Sequence, residues 1–172
     1  MEQKKLTELS LDELWQLFPI TLTAHQDYWT DWYKEEAELL KEQLSYAKRI
    51  SHIGSTAIKG IWAKPTIDIL VEISREEKII DLKNAVEKCS YICMAENNSR
   101  IDFNKGYTLR GFAERVFHLH LYYEGDNDEL YFRDYLQANA TVAKEYERLK
   151  LDLWKQHEHD RNMYTLLKGD FI

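Results

Sequence analysis

The sequence contains few cysteines, prolines and glycines. Its two cysteines, Cys89 and Cys93, lie four positions apart in an apolar context. Such a pair makes a poor disulfide framework and a weak zinc signal, so we expect two reduced and at least partly buried thiols. Two prolines and six glycines form no linker or low-complexity segment in the 172 residues. The chain therefore fits one domain, long enough to bury a real core.

Long hydrophobic segments are missing as well. No stretch approaches the roughly 18 consecutive apolar residues of a membrane helix. The start, Met1-Glu2-Gln3-Lys4-Lys5, carries charge at once and leads into no signal-peptide hydrophobic stretch. We therefore expect a cytoplasmic protein without a membrane partner.

Positive charge is scarce too. The formal net charge is −7, and the sequence has no run rich in lysine and arginine. General binding to nucleic acid or to an anionic membrane needs a basic surface, so this composition argues against both. A local basic pocket for one nucleotide or phosphorylated small molecule is compatible with it.

Hydrophobic periodicity predicts an α+β protein, in which a small mixed sheet is flanked by N-terminal and C-terminal helices. Ser10-x-x-Glu13 and Ser74-x-x-Glu77 have the capping-box spacing, and each predicts the start of a helix. The predicted helices cover residues 11–18, 26–46, 74–88 and most of the chain from 128 onward. The predicted strands cover residues 49–53, 66–73, 91–95, 101–109 and 116–123.

A Gly-Ser turn between a strand and a short helix is the first candidate site. Gly54, Ser55 and Thr56 can offer backbone N–H groups and hydroxyls to a phosphate, and the nearby Lys64 can offset its charge. Alternatively, Ser55 or Thr56 only caps the helix that follows. Both roles use the same N–H groups, so they are compatible.

Asp68 is the second candidate, because it lies within an otherwise apolar strand. A lone carboxylate is costly there unless it is paired, hydrogen-bonded or bound to a metal. It could hold the divalent metal that accompanies a phosphate. It could equally pair with Lys64, with Arg115 or with a backbone N–H.

His118 and His120 lie two apart on one predicted strand, so both rings project from the same face. If this strand lies beside that of Asp68, two imidazoles and a carboxylate meet, which is a ligand set of many metal sites. The alternative is one hydrogen-bonded core histidine with an exposed neighbour. His52 is a further candidate ligand or phosphate donor.

A Gly-Ser turn followed by an acid-bearing strand is the signature of the nucleotidyltransferase fold, whose strand carries two alternating acids. Beyond that order of parts, the sequence resembles the GrpB family over residues 25–172. The implied domain is therefore 25–172, with residues 1–24 as an N-terminal helical extension. The segments that carry the resemblance are His52-Ile53-Gly54-Ser55-Thr56-Ala57, Ala63-Lys64-Pro65, Asp68-Ile69-Leu70-Val71, Phe117-His118-Leu119-His120, Phe132-Arg133-Asp134-Tyr135-Leu136, Tyr146-Glu147-Arg148-Leu149-Lys150, Tyr164-Thr165, Lys168 and Phe171-Ile172.

The resemblance implies a nucleotidyltransferase-like fold in bacterial proteins that are sometimes fused to dephospho-coenzyme A kinase. This sequence departs from active nucleotidyltransferases in one respect, because one acid of the pair is absent. If Asp68 is the second acid, Thr66 stands at the first; if it is the first, Leu70 stands at the second.

Three functions are compatible with these residues. The first is nucleotidyl transfer from a nucleoside triphosphate to a small acceptor. Gly54, Ser55, Thr56 and Lys64 would then bind phosphates, and Asp68 and His120 would be catalytic. The second is a non-catalytic module that senses a nucleotide or a coenzyme A-type ligand. The third is an enzyme whose Mg²⁺, Mn²⁺ or Zn²⁺ is bound by Asp68, His118 and His120.

Overall fold

A mixed sheet of five strands carries the polar residues singled out above. The computed structural model describes residues 5–125 and 128–172. The strands are β1 (Ala47–Ile53), β2 (Thr66–Ile73), β3 (Ile92–Glu96), β4 (Arg100–Thr108) and β5 (Gly111–Tyr123). Their order in the sheet is β1-β2-β5-β4-β3, in which β2 and β5 are parallel and the other pairs are antiparallel.

Helices precede, interrupt and follow the sheet, so the predicted α+β class is confirmed. They are α1 (Leu11–Leu17), α2 (Tyr28–Gln43), α3 (Ile79–Lys88), α4 (Asp128–Ala138), α5 (Ala140–His157) and α6 (Arg161–Gly169), with 3-10 turns at Leu6–Glu8 and Ser55–Ala57. None of these helices is long and apolar enough to span a bilayer, as far as the described residues go.

The two faces of the sheet pack differently. On one face, Ile67, Ile69, Val71 and Ile73 of β2 belong to the main hydrophobic core, together with side chains of α2 and α3. On the other face, Leu70 of β2 packs with side chains that include Leu130 of α4. Because strand side chains alternate, Asp68 lies on this second face, between the sheet and the C-terminal helices.

Two predicted capping boxes have different outcomes. At α1, Ser10 and Glu13 form the reciprocal hydrogen bonds of the motif. The prediction that Ser74 starts a helix is wrong, since the Ser74 hydroxyl accepts from the Glu76 amide in a turn and α3 begins only at Ile79. That later start lets α3 bury its apolar face against the main core. The motif is local, whereas burial of the apolar face decides where the helix begins.

The segment after α1 is attached to the second face. Ile20 donates its amide to the Glu158 carbonyl at 2.9 Å, and its side chain packs with Leu153 and Tyr164. Thr23 forms an antiparallel bridge with Ala63. These contacts join the N-terminal part of the chain to α5, to α6 and to the loop before β2.

Candidate functional site

A cavity of about 700 Å³ lies between the second face of the sheet and the C-terminal helices. Most of the candidate site residues line it, namely Gly54, Ser55, Thr56, Lys64, Asp68, His118 and His120, whereas His52 is not among the lining residues. The C-terminal helices, whose position the sequence left open, supply Tyr146, Lys150, Arg161, Tyr164, Thr165 and Lys168.

The backbone at Gly54 brings the Gly-Ser loop against Asp68. Gly54 has a φ of +70°, which favours glycine. A Cβ atom there would clash with Oδ2 of Asp68 and lie 3.0 Å from its Cβ and Cγ. The predicted short helix is a single 3-10 turn, Ser55–Ala57. Its first amides have no intrahelical acceptor, so they can serve a ligand, but so short an element adds little macrodipole.

Thr56 stabilises the loop through its hydroxyl. His52 Nε2 lies 2.9 Å from Thr56 Oγ1, which in turn donates to the Thr66 carbonyl at 3.0 Å. Burial lowers the pKa of His52 to about 4, so its ring is neutral. Since the Thr56 hydroxyl has a single hydrogen, His52 is the donor in this pair. The hydroxyl of Thr56 is thus occupied, and phosphate contacts fall to Ser55 and the loop amides.

Asp68 lies between the two histidines, as predicted. The parallel register places it opposite His118, whose Nδ1 is 3.2 Å from Asp68 Oδ1. His120 Nε2 is 3.8 Å from the same oxygen. Burial would raise the pKa of Asp68, but the hydrogen bond from His118 and the nearby positive charge of His120 outweigh it and hold the pKa well below its usual range. Asp68 is therefore ionised.

Asp102 of β4 is a site residue that the sequence reasoning missed. It accepts a hydrogen bond from His120 Nδ1 at 2.7 Å. Burial alone would lower the pKa of His120, but bonds to Asp102 and Asp68 raise it to about 9. His120 is thus an imidazolium between two carboxylates. The alternation of Asp102 with Ile101 and Phe103 was the available signal, yet its pairing with β5 could not be read from the sequence alone.

Tyr107 and Arg161 were missed as well. Arg161 Nη2 donates to Tyr107 Oη at 3.2 Å, and Tyr107 Oη lies 2.8 Å from His118 Nε2. Burial lowers the pKa of His118, so the ring is neutral, and its Nδ1–H donates to Asp68 while Nε2 accepts from Tyr107. A continuous set of hydrogen bonds thus leads from α6 to Asp68.

The metal role predicted for Asp68, His118 and His120 stays a prediction. Both ring nitrogens of each histidine already face a hydrogen-bond partner, and a protonated imidazole has no lone pair for a metal. Within residues 5–125 and 128–172, no group of three or more His, Cys, Asp or Glu side chains is arranged to hold a metal ion. The donors therefore fit at most an ion held by the Asp68 carboxylate and by oxygens of a ligand.

The second acid of the nucleotidyltransferase strand has no substitute on β2. Thr66 is 7% exposed and Leu70 is fully buried, so neither alignment of Asp68 brings another carboxylate to this face. Glu72 is buried too and forms an ion pair with Arg49. Asp68 is thus the carboxylate that β2 contributes to the cavity.

Four cationic side chains line the same cavity: Lys64, Lys150, Arg161 and Lys168. Burial and the nearby charges of Arg161 and Lys168 lower the pKa of Lys64 to about 7. Burial and the charge of Lys168 likewise lower the pKa of Lys150 to about 7, although Lys150 donates to the Trp62 carbonyl at 2.6 Å. The cations therefore destabilise one another until an anion binds among them.

The profile of the GrpB protein family matches residues 19–172. The chain belongs to the GrpB family. It is 34% identical over 160 residues to the glutamate-rich protein GrpB of Alkalihalophilus pseudofirmus, covering 89% of this chain and 91% of that protein. It is 32% identical over 170 residues to the UPF0157 protein YqkA of Bacillus subtilis. That match covers 95% of this chain, which spans 48% of the length of YqkA.

Solved structures establish the fold of this GrpB chain. Conserved protein GrpB from Enterococcus faecalis superposes with a TM-score of 0.70 at 29% identity, covering 88% of this chain and 96% of that one. The GLD-2/RNP-8 complex gives 0.56 at 11% identity, over 84% and 50% of the two chains. Cid1 poly(U) polymerase bound to MgATP gives 0.52 at 11% identity, over 86% and 47%. The predicted nucleotidyltransferase-like fold is thereby confirmed.

Proposed function

We propose that this protein binds a nucleotide through its phosphates, in the cavity between the sheet and the C-terminal helices. The observation that carries the proposal is that the Gly54-Ser55 loop, the Asp68 carboxylate and four cations face one cavity. A loop of free amides beside lysine and arginine side chains is the usual protein environment of a phosphate chain. The volume of about 700 Å³ suits a nucleotide-sized ligand.

The charge distribution supports an anionic ligand. The protein carries a net charge of −7, yet this cavity gathers four cations. Burial, and after it the charges of neighbouring cations, lowers the pKa of Lys64 and Lys150 to about 7 and so disfavours their charged forms. A phosphate chain would supply a counter-charge and stabilise the charged forms of these side chains. That gain would contribute to the free energy of binding.

Asp68 is the residue that would hold a Mg²⁺ ion together with the phosphates. Mg²⁺ in such sites is commonly bound by one or two carboxylates and by oxygens of the substrate. Asp68 fits that role because it is ionised and reaches the cavity with a side chain that is 26% exposed. The ion would neutralise charge on the phosphates. Gly54 and the two histidines keep the carboxylate in place.

Nucleotidyl transfer is the second candidate function, and the accessible, ionised Asp68 on a nucleotidyltransferase fold favours it. In that reaction His120 would contribute its positive charge beside Asp68, which stabilises charge that develops on the transferred phosphate. A catalytic role of His120 as a general base would conflict with its raised pKa, since its ring is already protonated. If the protein binds a nucleotide but does not transfer it, the proposed function is that of a non-catalytic nucleotide-sensing module.

Calorimetric titration with ATP, GTP, CTP and UTP in the presence of Mg²⁺ tests the binding proposal. We expect Lys64→Gln to weaken nucleotide binding about tenfold, since one charge-assisted contact is worth roughly 1.4 kcal/mol or more. Lys155→Gln is the matched control, because Lys155 of α5 is 74% exposed and pairs with Asp152. Binding of none of the four nucleotides to the wild-type protein would refute the proposal.

Release of pyrophosphate separates transfer from binding alone. Purified protein is incubated with a nucleotide that binds, Mg²⁺ and fractions of a bacterial small-molecule extract as the source of acceptor. If the protein transfers a nucleotidyl group, pyrophosphate is released with at least one fraction. The Asp68→Asn variant should not release it. Nucleotide binding without release in any fraction would refute transfer and leave the sensing module.

A further inference from the structure

One face of α6 lines the cavity with cationic and polar side chains. Arg161, Tyr164, Thr165 and Lys168 occupy positions i, i+3, i+4 and i+7, which lie on the same side of a helix. Tyr164 is 1% exposed and packs with Ile20, so this residue anchors the helix. Of the two cations on either side of it, Lys168 lies over the Tyr164 ring at 5.7 Å and Arg161 donates to Tyr107, and both line the cavity.

The N-terminus of α6 does not explain these cations. The Asp160 carboxylate caps it by accepting a hydrogen bond from the Met163 amide at 3.0 Å. A carboxylate at this position already satisfies the helix dipole and would repel a second anion. Recognition by α6 therefore rests on its side chains and not on its terminal amides.

The two cations of α6 lie close to Lys64. Lys64 and Lys168 place their Nζ atoms 5.9 and 5.7 Å from the centre of the same Tyr164 ring. In keeping with that geometry, the pKa of Lys64 is lowered first by burial and then by the charges of Arg161 and Lys168. Burial lowers the pKa of Lys168, and so does the charge of Arg161. The charge of Asp68 acts in the opposite direction and raises the pKa of Lys168. Arg161 donates one N–H of its guanidinium to Tyr107, and its side chain also lines the cavity.

The opposite end of the cavity is acidic and lies apart from this cluster. Asp128 and Glu129 at the start of α4 line it, and burial and then the charge of Glu129 raise the pKa of Tyr122. Tyr122 is four residues beyond His118 on β5, which is about 13 Å along the strand. Neither acid is among the charges that act on Lys64, Lys150 or Lys168, whereas Asp68 acts on Lys64 and Lys168, and Glu147 acts on Lys150. Arg161 and the partly protonated Lys64 and Lys150 outweigh the charge of Asp68, so this cluster keeps a positive charge that a phosphate chain can offset.

We infer that α6 is the element that selects the length of the phosphate chain, with Lys168 and Arg161 as specificity-determining residues for di- and triphosphates over monophosphates. The inference rests on the proposed function and adds to it the class of ligand. Lys64 and the Gly54-Ser55 loop bind the phosphate nearest Asp68, and the α6 cations bind the phosphates beyond it. A ligand with one phosphate leaves α6 without a partner.

Titration with orthophosphate, pyrophosphate and tripolyphosphate at constant ionic strength tests the inference. We expect the wild-type protein to bind tripolyphosphate at least about tenfold more tightly than orthophosphate. Lys168→Gln should lose about tenfold for tripolyphosphate and less than about twofold for orthophosphate, since about tenfold corresponds to one charge-assisted contact. Lys168→Arg should retain most of the preference, because it keeps the charge.

Equal losses for both anions in Lys168→Gln would overturn the inference, since general attraction acts on any phosphate. No loss for either anion would overturn it too. Thermal unfolding of each variant shows that it is folded, and Lys155→Gln on α5 controls for net charge. If the wild-type protein binds neither nucleotides nor inorganic phosphates, the proposed function fails. If it binds nucleotides while Lys168→Gln keeps the preference, only the role of α6 fails.

Discussion

Gly54 and Asp68 depend on each other at the scale of single residues. The carboxylate occupies the space that any side chain at position 54 would fill, and the backbone there is left-handed. The loop that offers amides to a phosphate and the acid that would hold Mg²⁺ are thus fixed relative to each other. His118 and His120 complete this arrangement from the neighbouring strand.

Replacing Gly54 with alanine should therefore damage both stability and binding. Gly60→Ala is the matched control, because Gly60 has a φ of +79° but nothing within 4 Å of an added Cβ. The control should cost about 1 kcal/mol of unfolding free energy from backbone strain. Gly54→Ala should cost a further 1–3 kcal/mol, roughly, from displacing Asp68. Urea unfolding measures both values.

Nucleotide titration of the same pair of variants completes this prediction. Only Gly54→Ala should weaken binding in the presence of Mg²⁺, because only there does the new methyl group move a ligand of the ion. Equal unfolding free energies and equal affinities for the two variants would contradict the close dependence of Gly54 and Asp68.

The site could be predicted in part because its main residues stand in short motifs. A Gly-Ser turn, one acid in an apolar strand and two histidines at alternate positions each have a recognisable pattern. Asp102 has only its alternation with apolar neighbours, and Tyr107 and Arg161 have no such pattern, because all three reach the site through strand register and helix docking. Long-range pairing of this kind leaves no local signal in one sequence.

At the scale of elements, local signals predicted the existence of helices and strands better than their ends. Strand β2 has the predicted bounds, 66–73, because its apolar alternation is strong. Strand β5 begins at Gly111, five residues before the prediction, since antiparallel pairing with β4 extends it. The adjacency of β2 and β5 entered the prediction only as a condition, and their parallel direction was not predicted.

The N-terminal segment gives a test at the same scale. Ile20 is 3% exposed and packs on Tyr164 of α6, so Ile20→Ala should destabilise the protein by about 2–5 kcal/mol. Because this packing also positions α6, binding of tripolyphosphate should weaken. Leu11→Ala is the control, since Leu11 is 61% exposed. Chemical unfolding measures the change in stability of both variants, and titration with tripolyphosphate measures the change in their affinity.

Loss of stability in Ile20→Ala with unchanged affinity for tripolyphosphate would show that α6 keeps its position without this contact. A loss as large in Leu11→Ala would contradict the assignment of Ile20 to the core. Whether residues 1–24 form a separate extension stays a prediction, because contacts of residues such as Ile20 and Thr23 join the two parts.

At the scale of the whole molecule, a negatively charged protein holds a cationic cavity. The net charge of −7 repels free anions at a distance, and salt weakens that repulsion. Attraction is confined to the cavity, where little water separates the charges. Affinity for a phosphate chain should accordingly depend on the local protonation of the lysines more than on the overall charge.

Binding of a phosphate chain should take up protons above neutral pH. The pKa values of Lys64 and Lys150 lie at about 7, so both are largely neutral near pH 8. An anion favours their charged forms and raises both pKa values, so affinity should fall as the pH rises from about 7 to about 9. Calorimetry in HEPES and in Tris, whose ionisation enthalpies differ, measures the protons taken up.

Identical binding enthalpies in the two buffers at about pH 8 would contradict this protonation change. Lys64→Gln should reduce the uptake, because one of the two titrating groups is gone. Lys155→Gln should leave it unchanged, since Lys155 is exposed on α5 and away from the cavity.

The parallel pairing of β2 with β5 has a consequence for folding kinetics. It joins residues 66–73 to residues 116–123, and the chain between them forms α3, β3 and β4. Closing so long a loop is slow, because its entropy is lost before the contacts form. Asp68 meets His118 and His120 only after that closure. A nascent or partly folded chain can therefore hold the Gly-Ser loop beside Asp68 through the β1–β2 pair, but without the two histidines of β5, and ligand binding reports completion of the central sheet.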